Sequence, residues 1–238
     1  MPVDSPSPPP RRIRSFVRRS GRLTPAQQGA LEKLWPRFGI DDGDGLIDFD
    51  ALFGRRAARV LEIGFGNGET LVEQAVAHPE HDFVGIEVHE PGIGHCLLKI
   101  GEAGIGNIRL IRNDALDILE HRIADNALAR INLYFPDPWP KKRHHKRRIV
   151  QDMFLELAAR KLEPGGSLCI ATDWANFADH VDEVVGRSPH FTIVERRQHL
   201  GDRPIDRPVT KFERRGLGKG HSIVDWQMHV MKGSNARG

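Results

Sequence analysis

The sequence predicts an α/β fold, with a mostly parallel central sheet, an antiparallel edge strand and helices on both faces. Three observations carry that expectation. From Arg59 onward, short aliphatic runs alternate with segments of helical period, which calls for parallel strands joined by right-handed crossovers. The first of those runs, Val60–Ile63, leads straight into Gly64-Phe65-Gly66-Asn67-Gly68 and a helix start. The last two β-like runs, Phe191–Glu195 and Ile223–Met231, have no helical segment between them, and strands joined without a crossover pair antiparallel.

Taken in order, Met1–Pro10 holds five prolines among small polar residues and is expected to be disordered. Arg11–Arg22 reads as a basic arm with Ile13, Phe16 and Val17 interleaved. Residues 1–22 are thus set apart from a single domain over 23–238. Thr24-Pro25-Ala26-Gln27 combines a hydroxyl cap, a proline at the first helical position and a glutamine at the third, so a helix starts there and Pro36 is expected to stop it. Strands are predicted at Val60–Ile63, Phe83–Val88, Ile108–Ile111, Ile131–Phe135 and Ser167–Thr172. Helices are predicted at Glu69–Ala77, Ile93–Ala103, Ala115–Leu119, Ile149–Leu162 and Phe177–Val185, and Pro164-Gly165-Gly166 makes a turn.

Composition narrows the function classes. At 238 residues and 39% hydrophobic content, the chain can bury one sizeable core. Its net charge of +3 hides an asymmetry, because 12 of its 35 lysines and arginines fall in two acid-free stretches, 11–22 and 141–148. Against 32 acidic residues, the remaining body is acidic. Two basic patches on an acidic body suit a polyanion partner such as nucleic acid. Cys96 and Cys169 are too few and too far apart for a disulfide framework or a zinc site. Both read as buried apolar thiols in a reducing compartment, and the expected location is cytoplasmic. No apolar run reaches membrane-spanning length, and the N-terminus has no secretory pattern.

Ligands of open α/β sheets sit beyond the carboxyl ends of the strands. There the sequence places Glu62 ahead of Gly64 and Gly66, Glu87 at the end of the second strand, and Asn113-Asp114 at the end of the third. The glycine spacing is GxGxG, and an acid just before it would repel a pyrophosphate but attract an ammonium or sulfonium. Both details argue against a dinucleotide and favour S-adenosyl-L-methionine. The pattern resembles the Rossmann-like class I S-adenosylmethionine-dependent methyltransferases.

Further along, Phe135-Pro136-Asp137-Pro138-Trp139-Pro140 holds a carboxylate between two prolines beside an indole and runs into the cations of 141–148. Together with Arg12–Arg19, Glu62–Gly66, Arg143–Arg148 and Arg207–Glu213, it is similar to the tRNA (guanine-N7)-methyltransferase family, and the likeness runs from about Arg11 to Met231. The resemblance implies that Glu62, Glu87, Asp114 and Asp137 line the cofactor site, with Asp137 catalytic. It implies substrate contacts at Lys141, Asp173, Thr210, Lys211, Phe212 and Glu213, the last four in a segment expected to be a loop from the final strands, and RNA contacts at Arg143, His144, His145, Lys146, Arg147 and Arg148. The expected activity is formation of 7-methylguanosine at the variable-loop guanine of tRNA by a monomer.

Two other readings stay open from the residues. An amino-group methyltransferase acting on adenine or glutamine would carry Asp/Asn-Pro-Pro-aromatic, whereas here the proline and aromatic are shifted. A non-catalytic RNA-binding protein would not need the four acids. No metal is expected, because His144-His145 sits among cations and no other histidine pair has ligand spacing with a carboxylate.

Overall fold

A computed structural model describes residues 15–16, 21–201 and 207–231 of the chain. Of the expected arm, therefore, only Ser15, Phe16, Gly21 and Arg22 are described; the Pro-rich tail lies outside the described residues.

The described elements, in chain order, begin with helix α1 (Pro25–Phe38), strand β1 (Gly39–Ile40), helix α2 (Phe49–Phe53), β2 (Arg59–Ile63), α3 (Glu69–Ala77), β3 (Asp82–Ile86), α4 (Glu90–Ala103), β4 (Ile108–Ile111) and α5 (Ala115–His121). They continue with β5 (Leu128–Tyr134), a 3-10 turn (Lys142–Arg147), α6 (Asp152–Lys161), β6 (Leu162–Thr172), α7 (Ala175–Gly186), β7 (Phe191–His199), α8 (Lys211–Leu217) and β8 (Ile223–Val230). One eight-stranded sheet has the order β1-β4-β3-β2-β5-β6-β8-β7. All pairs from β1 to β6 are parallel, and β8 runs antiparallel to both β6 and β7. The mostly parallel sheet with an antiparallel pair at one edge is the arrangement expected from the sequence.

Local chemistry explains the boundaries. Thr24 Oγ1 accepts from Gln27 N at 3.2 Å while Gln27 Oε1 accepts from Thr24 N at 2.9 Å, a reciprocal cap with Pro25 at the first position. Pro36 does not stop α1, which runs on to Phe38; so near the end, the proline removes one donor and the last turn tolerates it. Gly68 caps α3 at φ 75°, and a Cβ there would lie 2.3 Å from Cys96 Sγ, so α3 and α4 can approach only over a glycine. The segment holding Thr210–Glu213, expected to be a loop, is instead the start of α8. Thr210 caps it by accepting from Glu213 N at 2.9 Å.

Pleating sends alternate strand residues to opposite faces. Leu61, Ile63, Val84 and Ile86 join α5, α6 and α7 in one core through Leu116, Phe154, Leu155, Phe177 and Val181. Val60, Phe83, Ile108 and Leu110 join α1, α3 and α4 through Leu71, Ile93 and Leu97 on the other face. Both cysteines are buried, as expected. Glu62 shares Val60's face, where its register neighbours are Gly85 on β3 and Asn132 on β5. No helix among the described residues is long and apolar enough to cross a membrane.

Beyond these cores, α8 is fastened by charge. The buried Arg207 donates to Glu213 Oε2 at 2.5 Å on α8 and to Asp225 Oδ1 at 2.7 Å on β8, and His199 meets Asp225 Oδ2 at 2.9 Å. Removing the guanidinium leaves two buried carboxylates without their counter-charge. Arg207→Ala is expected to lower stability by about 3–5 kcal/mol in urea unfolding. A loss within the scatter of surface substitutions would show that the cluster does not fasten α8.

Candidate active site

In the sheet the chain steps outward from β2 to β3 to β4, then returns to place β5 on the other side of β2. At that reversal a cleft of about 210 Å³ opens over the strand ends. Gly64 and Gly66 form its floor together with Ile63. Ile86, Glu87 and Val88 come from the end of β3, Asn113 from the end of β4, and Leu133–Asp137 from the end of β5. Phe212 of α8 and Ser15 and Phe16 of the N-terminal arm close its mouth.

The glycine turn exists because three alternate positions, Gly64, Gly66 and Gly68, lie at φ 71°, 57° and 75°. Its open backbone is clamped to the next strand: Gly66 N donates to Glu87 Oε2 at 2.9 Å. Glu87 Oε1 accepts from Val88 N and His89 N at 2.6 and 2.9 Å. Three backbone donors hold this carboxylate at the cleft wall, and lone pairs remain for hydroxyl groups of a ligand.

Glu62 and Asp114 are not among the side chains that line the cleft; each is the chain neighbour of residues that do, Ile63 and Gly64 for Glu62, Asn113 and Ala115 for Asp114. Glu62 is 3% exposed on the α3 side of the sheet; its Oε1 accepts from Thr70 Oγ1 at 2.8 Å and its Oε2 has no hydrogen-bond partner. Burial pushes its pKa up to about 7, against smaller lowering effects of the Thr70 bond and Arg130 and a raising effect of Glu87. Asp114 is spent as the cap of α5, accepting from Leu116 N at 3.0 Å. Asn113 does reach the cleft, with its amide donating to Asp42 Oδ1 at 2.8 Å.

The turn after β5 is the most constrained backbone in the site. Phe135 and Trp139 both lie in the left-handed region, at φ 51° and 45°, which is costly for aromatic residues and falls to either side of Pro136-Asp137-Pro138. Phe135 N donates to Ala171 O at 2.8 Å, and its ring stacks on Phe212 at 6.4 Å. Trp139 Nε1 donates to Ser15 O at 3.0 Å, tying the arm to the cleft mouth, while Arg147 lies over the indole at 5.0 Å. Asp137 stands exposed on this turn, with its walls set by the two prolines.

The basic stretch divides. Lys141, Arg143 and Lys146 are exposed; His144 sits edge-on to Trp139 at 5.8 Å and His145 meets the Arg148 guanidinium at 3.1 Å. Arg148, expected to contact RNA, is 2% exposed: its guanidinium donates to Pro138 O at 3.0 Å and to Asn176 Oδ1 at 2.6 Å and covers Phe177 at 5.5 Å. It bolts the Pro-Asp-Pro turn to α7, unlike the exposed cations beside it.

Among the expected substrate contacts, Phe212 lines the cleft and Lys211 is exposed beside it. Thr210 and Glu213 are buried, Thr210 in the cap of α8 and Glu213 in the pair with Arg207. Asp173 is half-buried past the end of β6, with Oδ2 3.1 Å from His221 Nδ1. The sequence reading missed Ser15, Phe16 and Ile149 as cleft walls and Arg207 as a clamp. It also missed a carboxylate at ligand spacing from a histidine pair: His78, Glu80 and His81 bring one ligand atom each to within 4.8 Å of one another. The signal lay in the short string His78-Pro79-Glu80-His81.

Residues 56–226 match the model of a family described as "Putative methyltransferase". The chain is 52% identical over 217 residues to the tRNA (guanine-N(7)-)-methyltransferase of Halorhodospira halophila, covering 91% of this chain and 94% of that protein. It is 50% identical over 228 residues to the protein of the same name from Idiomarina loihiensis, covering 96% and 93%. Among solved structures it is similar to an antibiotic-related methyltransferase, with TM-score 0.59 and 13% identity over 83% of this chain and 99% of that one. It is also similar to TrmN of Thermus thermophilus, with TM-score 0.53 and 18% identity over 76% and 47%. At such identities the structures show the class I methyltransferase fold alone, whereas half-identity along nearly the whole chain shows more. This chain belongs to the tRNA (guanine-N(7)-)-methyltransferase family.

Proposed function

We propose that the chain transfers a methyl group from S-adenosyl-L-methionine to N7 of a guanine in tRNA, the variable-loop guanine, giving 7-methylguanosine. The observation that carries this reading is the Asp137 carboxylate, held by a strained, bolted turn on the wall opposite Glu87 and the glycine floor.

The residues present fit the methyl donor. Gly64 leaves open backbone at the floor, where an added Cβ would meet nothing within 4 Å. Glu87 offers a fixed carboxylate for the ribose hydroxyls, and Ile86, Val88 and Ile149 offer apolar wall for the adenine. Glu62 holds a buried oxygen without a partner, which an ammonium would neutralise. When bound, S-adenosylmethionine supplies a methyl group already activated by a sulfonium.

Guanine N7 carries an in-plane lone pair and no proton, so this chain has no proton to remove before attack. Its task is alignment. Asp137 accepts from an N–H of the guanine or faces the positive charge that develops on the ring, while Phe135, Phe212 and Trp139 supply apolar faces for the base. An exocyclic amine would instead need a proton acceptor fixed on the nitrogen, and the cleft's other carboxylate, Glu87, is committed to three backbone donors.

Arg143, Lys146, Lys141 and the arginines of the arm supply the phosphate grip, with Ser15 as the arm's anchor at Trp139. In this reading residues 1–22 are the RNA arm of a single domain over 23–238. The enzyme works as a cytoplasmic monomer, and the N7 chemistry calls for no metal.

Glu62 links the pocket to stability. Its folded pKa, about 7, stands above the ordinary glutamate value of 4.5, so the folded state binds the extra proton. The destabilisation is absent below pH 4.5, grows between 4.5 and about 7, and is fully present above, at about 3 kcal/mol. Ligand-free Glu62→Gln protein should therefore gain in melting temperature over wild type at pH 8, and gain much less at pH 5. A pH-independent difference would contradict the buried, partnerless carboxylate.

Asp137→Asn should slow single-turnover methylation by about 100-fold, since one preorganised charge contact contributes roughly 3 kcal/mol. Affinity for S-adenosylmethionine, followed by calorimetry, should change far less. Wild-type single-turnover rates would remove Asp137 from the reaction.

A further inference from the structure

We propose that His221 is a positioning residue for the target guanine, acting through Asp173 and with Trp174 beside it. Nothing in the sequence motifs points to this histidine; the fold brings it there.

The placement follows from two elements. Asp173 lies two residues beyond Ala171, whose carbonyl receives Phe135 N and so fixes the start of the Asp137 turn. Its side chain also packs on α8 at Gly216, where a Cβ would come 2.8 Å from Asp173 Cβ and Oδ2. Gly216 stands one helical turn after Phe212, which lines the cleft, so Asp173 sits on the face of α8 that carries the cleft's aromatic wall. His221 is delivered by the turn that ends α8, its N–H donating to Gly216 O at 3.0 Å. Its Nδ1 lies 3.1 Å from Asp173 Oδ2, and its ring meets the exposed Trp174 edge-on at 6.2 Å.

In this geometry Nδ1 carries the proton and donates to the carboxylate. One lone pair of Asp173 Oδ2 is then taken, and acceptor capacity remains on the two oxygens. A carboxylate with two free acceptor positions suits the neighbouring N1–H and N2–H donors on the guanine edge away from N7. A free aspartate at the end of a strand would rotate about its side-chain bonds. The histidine fixes one orientation, and the Gly216 contact sterically limits the rest. The proposal deepens the guanine-N7 reading and rests on it.

The test compares His221→Ala, His221→Gln and His221→Asn in single-turnover methylation of tRNA, with tRNA and S-adenosylmethionine affinities measured alongside. Asparagine can place an N–H near the position of Nδ1, whereas glutamine mimics Nε2. The expected result is a loss of at least about tenfold in rate for the Ala and Gln variants, as for a lost bond to a charged group, with both affinities near wild type. The Asn variant should stay within about threefold of wild type. A second readout replaces the target guanine by inosine, which keeps N7 and lacks the 2-amino group. The rate penalty for inosine should be smaller in His221→Ala than in wild type. An Ala variant at wild-type rate, an Asn variant no better than Ala, or an unchanged inosine penalty would each overturn the proposal. Asp173→Asn separates the levels: slow Asp173→Asn beside fast His221→Ala removes only the role of His221, while wild-type rates in Asp173→Asn remove the base contact on which it rests.

Discussion

The site depends on the way the chain leaves β5. At Phe135 the backbone turns into the left-handed region while its N–H stays bonded to Ala171 on β6, and at Trp139 it does so again. Such conformations cost of order 1–3 kcal/mol each and persist only where the surroundings dictate them. Here three contacts do so: Arg148 takes the Pro138 carbonyl and ties it to α7, Trp139 takes the Ser15 carbonyl, and Phe135 stacks on Phe212. The prolines between them leave Asp137 little freedom. The Asp137 carboxylate is thereby positioned before any ligand arrives, so the cost of ordering it falls on folding.

The cleft's other wall is built by an opposite device. The glycine turn has no side chains to hold it, so its shape is dictated by hydrogen bonds to a side chain from the neighbouring strand, Glu87. Behind that wall a row of polar groups crosses the face of the sheet at Glu62 and Asn132, where an α/β core is normally apolar. Asn132 is satisfied by Arg130 and Gln74, but one oxygen of Glu62 is not. The fold thus carries a buried, partly unsatisfied carboxylate beside the glycine turn. On the substrate side, the buried Arg207 cluster plays the corresponding supporting part by holding α8, and with it Phe212, against β8.

Much of this was legible in the sequence, for identifiable reasons. Strand ends followed by polar residues betrayed Glu87, Asn113 and Asp137, because a parallel sheet puts all such ends on one side. The Thr24 cap was readable because its partners are three residues apart. The same spacing, Thr210-x-x-Glu213, marks the start of α8, where the expected loop is a capped helix. What charge alone could not reveal was burial. Arg148 reads like its five cationic neighbours, yet it alone is aimed inward, because only its position meets both Pro138 and Asn176. Glu213 likewise looks like an available acid until Arg207, six residues earlier, is seen to cover it. Glu62 lies beside the glycine turn, but its burial was not legible from its charge, since pleating turns it toward α3, where Thr70 donates to it.

The central claim is that this cleft delivers a methyl group to N7 of guanine in tRNA. It is tested most directly by incubating the protein with methyl-labelled S-adenosylmethionine and bulk tRNA, digesting the RNA and separating the nucleosides. The account predicts that the label appears in 7-methylguanosine alone. Label in an amino-methylated adenosine or guanosine, or none in RNA that the protein binds, would contradict it.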